Sequence, residues 1–487
     1  MAWDHCKDFL ADYKGNDGTV PPGSRGYDPA PFGQGAARHG ELYVGPLEMF
    51  SGKPAYALAR FVSHLCAPGF SALMGAGMVL LRESRVDKGW SEARVLRFFV
   101  IRGLLLIALG FVVRASFLVL LIDPPPEFKE RAERRWPTPV LADLLGFFQV
   151  LTSLGLQMIS TGLVLFAFIP VLRPSNVAAQ TTQWEDELHD GRGASLENSP
   201  SFVEAGSVSL LRGGGAGGER GEPRDAWPSS SRRSNLALTV YACCVASLAL
   251  LALEQVVIVR LQGPDPALAR TTDALTAPEI FLRFTLVPGE FDTLPSQNYF
   301  PFVPWMSCCL LGVAYGAGLT VAPQKTLRGA APLGFALVAL FVVGRLLGGR
   351  AFSFRGWPLG EGRDLSPLIS FLNVCKYPPG FAYVSLTLGL NLLLMAALGR
   401  VQRPERHTVT RALLAYGRAP LAFYIVHFWI ITTGLALVYA LTGIHAFPLF
   451  TGVVAIWLGL LAVMKVFCER YATWKQSKPP GSLWAFL

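Results

Sequence analysis

Charge is what this chain has least of. Asp, Glu, Lys and Arg make up 16% of its 487 residues, against about a quarter in soluble domains, which excludes a water-soluble globule. Metal-ligand and disulfide spacing is missing too: the eight cysteines are scattered, with no CxxC pair, which speaks against a disulfide framework or a zinc site. Residues 1–12 lack the basic-then-apolar order of a cleaved leader, so none is expected there. Compact basic tracts are absent as well. The net charge of +9 comes from Lys and Arg in short loops, which reads as membrane orientation and gives no reason to expect a nucleic-acid partner.

What is abundant is apolar sequence. Hydrophobic residues reach 52% and the mean hydropathy is +0.39. About 20 apolar residues cross the hydrocarbon core as a helix, and nine such windows recur. They are Leu58 to Leu81, Phe98 to Ile122, Gly146 to Leu172, Asn235 to Val259, Phe302 to Val321, Gly329 to Leu347, Pro379 to Leu398, Ala419 to Leu441, and Phe447 to Phe467. The fold class is therefore all-α, a polytopic transmembrane helix bundle of about nine spans, integral to an endomembrane or the plasma membrane with the lipid bilayer as its first partner.

Loop charge orients it. Arg82, Arg85, Lys88, Arg94 and Arg97 between the first two spans belong in the cytosol by the positive-inside rule. Alternation then puts Arg400, Arg403, Arg406 and Arg411 inside, and also Lys325, Arg328, Lys475 and Lys478. Two outside loops run against the rule, with Arg131, Arg134 and Arg135 in one and Arg350, Arg355 and Arg363 in the other. Residues 173–235, rich in Ser, Gly, Arg and Glu, divide two membrane halves, 1–172 and 236–487, as a disordered cytosolic loop. Its glycine run from Arg212 to Gly218 follows no strand and opens no helix, so a linker is favoured over a phosphate cradle.

Polar residues inside spans mark candidate sites. Gln149, Ser153, Gln157 and Thr161 recur every four residues, hence along one helical face that looks inward; interhelical hydrogen bonding and a polar path both suit it. His64 lies within the first span, four residues before Pro68, and a neutral imidazole can act as a base near pH 7. His427 sits nearer mid-bilayer as a packing or network residue. Asp4 and His5 adjoin at the N-terminus, a weak pair by spacing alone. His189 and His445 have no constellation around them.

Five stretches carry a resemblance: Met1-Ala2-Trp3-Asp4-His5; Ser63 to Phe70 with Gly75-Ala76-Gly77; Tyr299 to Trp305 with Gly312 and Gly316; Phe371 to Pro379; and Gly417 to His427. Together they make the chain resemble the heparan-α-glucosaminide N-acetyltransferase catalytic domain-containing family, in its microbial and fungal multi-pass branch. The family pattern opens with one further helix, leading into Met-x-x-Asp-His, for ten spans; here the chain starts at that helix's far end.

The resemblance implies transfer of an acetyl or other acyl group from cytosolic acyl-CoA to a sugar or small polar acceptor on the other side. The CoA thioester is the donor substrate, and no permanently bound cofactor or metal is implied. His64, His5 and Asp4 are the catalytic candidates. Lys376, Tyr377, Arg345, Gln149, Gln157 and His427 are candidates for substrate contact, and Arg94, Arg97, Arg403 and Arg406 for CoA phosphates. The orientation puts Asp4, His5, His64, Lys376 and Tyr377 near the outer face. A second copy of the chain is a candidate partner. A transporter or flippase of a polar solute is the alternative, with the Gln149 face, Arg114 and His427 along its path.

Overall fold

The computed structural model describes residues 2–10, 54–116, 147–169, 230–262, 276–286, 289–291, 296–298, 300–347, 367–372, 374, 376, 379–401, 403–444 and 447–478. Most of the loop 173–235 lies outside these residues, as do Tyr377, His189, His445, and the arginines of the two awkward outside loops.

Among the described residues, nine helices are long and apolar enough to cross a membrane. In chain order the elements are α1 (Ala2–Leu10), α2 (Pro54–His64), α3 (Cys66–Val86), α4 (Glu92–Ala115), β1 (Phe147–Phe148), α5 (Val150–Ala167), α6 (Ser230–Gln262) and α7 (Ala277–Leu286). Then come β2 (Gly289–Phe291), β3 (Ser296–Asn298), α8 (Phe302–Val321), α9 (Pro323–Leu347), α10 (Pro367–Leu372), α11 (Phe381–Leu398), α12 (Thr408–Arg418), α13 (Pro420–Thr442) and α14 (Val454–Gln476). Helices α2 and α3 together form the first span. The nine windows expected from hydropathy coincide with the nine spans, their ends shifted by local chemistry. Helix α4 starts earlier than the apolar run because the Ser91 hydroxyl accepts the Arg94 N–H at 3.3 Å and Glu92 occupies the first turn. Helix α13 opens with Pro420 and stops at Gly443, whose φ of 70° suits a residue without Cβ.

Helix α8 is the hub, with 61% of its apolar window buried against 17% for the span Phe450–Gln476. It packs on α3, α5 and α6. Lipid is as apolar as leucine, so spans hold together through close backbone approach rather than a hydrophobic drive. A Cβ on Gly75 of α3 would run into the Cys309 carbonyl, and one on Gly312 of α8 into the Ala72 carbonyl. One turn on, a Cβ at Gly316 would sit 2.7 Å from the Ala76 oxygen. The same device recurs twice: Gly103 and Gly155 face each other across α4 and α5, Gly334 and Gly389 across α9 and α11.

The break between α2 and α3 falls at Leu65. Pro68 has no N–H for the carbonyl four residues back, that of His64. The Tyr383 hydroxyl of α11 donates to it instead, at 2.8 Å, and the Asn391 amide donates to the next carbonyl, Leu65, at 3.0 Å. Helix α11 therefore completes the bonding of the kink. Beyond the helices, a three-stranded patch orders β1-β3-β2 beside the bundle.

Candidate functional site

Two histidines far apart in sequence meet. His5 Nδ1 lies 2.7 Å from His427 Nε2, and the rings stack at 5.0 Å with 18° between planes. His427 is fully buried. Its Nδ1 lies 2.8 Å from the Phe423 carbonyl oxygen. A carbonyl only accepts, so Nδ1 of His427 carries the proton and donates. In the neutral ring Nε2 is then the acceptor, and His5 donates to it from its own Nδ1. The relay runs from the Phe423 carbonyl through His427 to His5. A second group that fixes tautomer and ring orientation is the usual support of a working histidine.

The surroundings are aromatic. Phe428 lies 4.1 Å from the His5 ring centre, and Tyr424 makes an edge contact with both imidazoles. Helix α1 is anchored on three sides: the Trp3 indole N–H donates to the Ala59 carbonyl of α2 at 2.9 Å, the Trp3 ring meets Trp457 of α14 edge-on, and the Phe447 N–H donates to the Leu10 carbonyl at 2.7 Å. His5 meets the eighth residue of the 23-residue helix α13, so it reaches well into that span rather than staying at the outer rim. Asp4 shares α1, but its side chain lies outside the described residues.

His64 belongs to a second cluster, reached through α2. It is 1% exposed and makes an edge contact with Tyr383 at 5.5 Å. Tyr383 meets Trp305 of α8, which meets Phe300, and the Lys376 ammonium lies 6.0 Å from the Phe300 ring centre. Three buried cations gather here: Arg60, Arg345 and Lys376. Arg60 donates to the Val374 carbonyl at 3.4 Å and Arg345 Nε to the Phe371 carbonyl at 3.1 Å, so both guanidiniums hold the segment that carries Lys376. Tyr377 follows Lys376 outside the described residues.

The Gln149 face is buried throughout. The Gln149 amide donates to the Gly110 carbonyl, Gln157 Nε2 donates to the Ser153 hydroxyl at 3.0 Å, and Thr161 Oγ1 lies 3.3 Å from Cys309 Sγ. Gln157 Oε1 is buried with no hydrogen-bond partner among the described residues. Arg94 and Arg97 are exposed at the start of α4, with the Arg94 guanidinium 4.1 Å from the Trp90 ring centre. Arg403 and Arg406 are exposed in the turn before α12. Arg82 is buried and pairs with Glu92, bonds the Ile169 carbonyl at 2.8 Å, and lies 3.8 Å from the buried Glu83.

Tyr383 carries no sequence signal of its own, although the donor missing at Pro68 calls for a residue like it. Glu254 of α6 is fully buried, and neither carboxylate oxygen has a hydrogen-bond partner among the described residues. No group of three or more metal-ligating side chains comes together among the described residues. The chain matches no family model, no curated protein and no solved structure.

Proposed function

We propose that the chain is a membrane-bound acyltransferase that moves an acyl group from cytosolic acyl-CoA to a hydroxyl or amine of a small polar acceptor on the far side. The reading is in keeping with the motif resemblance to the heparan-α-glucosaminide N-acetyltransferase-like family. The observation that carries it is the His5–His427 relay, which orients the His5 imidazole, a group suited to general acid–base work.

In this mechanism the acceptor O–H or N–H bond breaks toward His5 Nε2 while its oxygen or nitrogen bonds to the thioester carbonyl carbon. The carbon–sulfur bond then breaks, and the proton leaves on the CoA thiol. In the alternative, with His64 as the base, Lys376 and Arg345 of that second cluster supply positive charge for the oxyanion. Arg94, Arg97, Arg403 and Arg406 attract the CoA phosphates.

Calorimetry of the detergent-purified protein with acetyl-CoA tests the reading: saturable heat supports it. Absence of binding, together with counterflow of a polar solute in proteoliposomes without CoA, overturns it for the transporter. One observation favours that second reading, the Gln157 oxygen that has no hydrogen-bond partner among the described residues on the buried polar face of α5.

A further inference from the structure

Helix α12, eleven residues long, joins two spans: α11 ends at Leu398 and α13 begins at Pro420. Both ends of the connection are thus pinned to one side of the bilayer, so α12 runs along that surface. Its inner side is tied to α14. Ala415 is buried, and the Tyr416 hydroxyl donates to the Leu461 carbonyl at 2.9 Å. Burial holds the Tyr416 phenol above its ordinary pKa, so it stays a neutral donor.

The rest of α12 is uncovered, and it carries two kinds of side chain. Val409 is 71% exposed, and Leu413 and Leu414 are also exposed. Arg411 and Arg418 are exposed and seven residues apart, hence two turns apart on one side of the helix. Neither arginine has an ion-pair partner among the described residues; the neighbouring acid on α14, Glu469, is taken by Lys465 at 2.8 Å. By the positive-inside rule this connection faces the cytosol, the side of the anionic leaflet.

We propose that α12 is a binding site for anionic phospholipid, with Arg411 and Arg418 on the headgroup and Val409, Leu413 and Leu414 against the acyl chains. Two exposed guanidiniums alone suit any phosphate. A free phosphate or a nucleotide leaves the three apolar side chains in water, whereas a lipid covers both halves of the helix surface. The site is independent of the transferase reading and of Arg403 and Arg406 in the turn before it.

The test is thermal unfolding of the full chain in mild detergent, followed by tryptophan fluorescence, with added phosphatidylserine, phosphatidylcholine or inorganic phosphate. Phosphatidylserine is expected to raise Tm, phosphatidylcholine and phosphate to leave it unchanged. The lipid concentration for half the rise should increase about fivefold for each arginine removed, in R411Q and then R411Q/R418Q. R328Q, exposed in the first turns of α9, should respond as the parent does. If the double variant does not fold, the single variants R411Q and R418Q are read in its place. An equal rise with phosphatidylcholine, a rise with phosphate alone, or an unchanged response in the arginine variants overturns the proposal.

Discussion

The Tyr383 hydroxyl donates to the His64 carbonyl oxygen across 319 residues of sequence, at 2.8 Å, and replaces the donor that Pro68 removes. The bond joins the α2–α3 kink to α11 and sets the backbone that carries His64.

Removing the hydroxyl exposes that dependence. Tyr383→Phe is expected to destabilise the folded protein by about 1–3 kcal/mol, the cost of leaving a buried carbonyl unsatisfied. In a Pro68→Ala background the helix regains its own N–H, and the same change should cost distinctly less. A double-mutant cycle by denaturant unfolding in detergent checks this; equal costs in the two backgrounds would remove the proposed coupling.

Close backbone contact between α3 and α8 allows a steric prediction. Gly312→Val puts a branched side chain where a Cβ alone already meets the Ala72 carbonyl, and it should abolish the monodisperse folded peak in size-exclusion chromatography. Gly459→Ala is the control, because a Cβ there meets nothing within 4 Å; the peak should persist.

For the histidine relay the expectation is kinetic. If His5 Nε2 is the base, His5→Ala should lower acyl transfer by about 10²- to 10⁴-fold. His427→Ala should lose a smaller part of the rate, since it orients His5 without touching the substrate. Acetyl-CoA turnover with intact CoA binding separates loss of chemistry from loss of folding. Full activity of His5→Ala would shift the role to His64.

Glu254 gives a prediction of opposite sign. Its carboxyl is buried without a hydrogen-bond partner among the described residues, a state that costs about 1–3 kcal/mol. Glu254→Met keeps the bulk and removes the polar oxygens, so it should raise stability in the same unfolding assay. A loss of stability instead would mean that the carboxyl holds a bound polar group, such as a water.

Much of the architecture is legible in the sequence because a bilayer imposes a simple demand. Twenty apolar residues must satisfy their own backbone as helix, so nine spans follow from hydropathy alone. The inward face of Gln149, Ser153, Gln157 and Thr161 follows equally from helical period. The site is less legible. Asp4 and His5 attract notice as neighbours in sequence, yet the hydrogen bond that orients His5 comes from His427, 422 residues away. Arg345 and Lys376 are substrate-contact candidates by sequence, but only the bonds of Arg60 to Val374 and of Arg345 to Phe371 show that both guanidiniums hold the segment carrying Lys376.

The sequence by itself determined that this is a multi-pass helical membrane protein, where its spans run, and where Pro68 removes a helix donor. Those properties depend on local periodicity, length and the missing proline donor. The tertiary structure alone decided that Tyr383 supplies that donor, that Gly75 and Gly312 set α3 against α8, and that His427 is the partner of His5. Each needs residues from separate helices at hydrogen-bond or van der Waals distance, and no local pattern encodes which helix lies beside which.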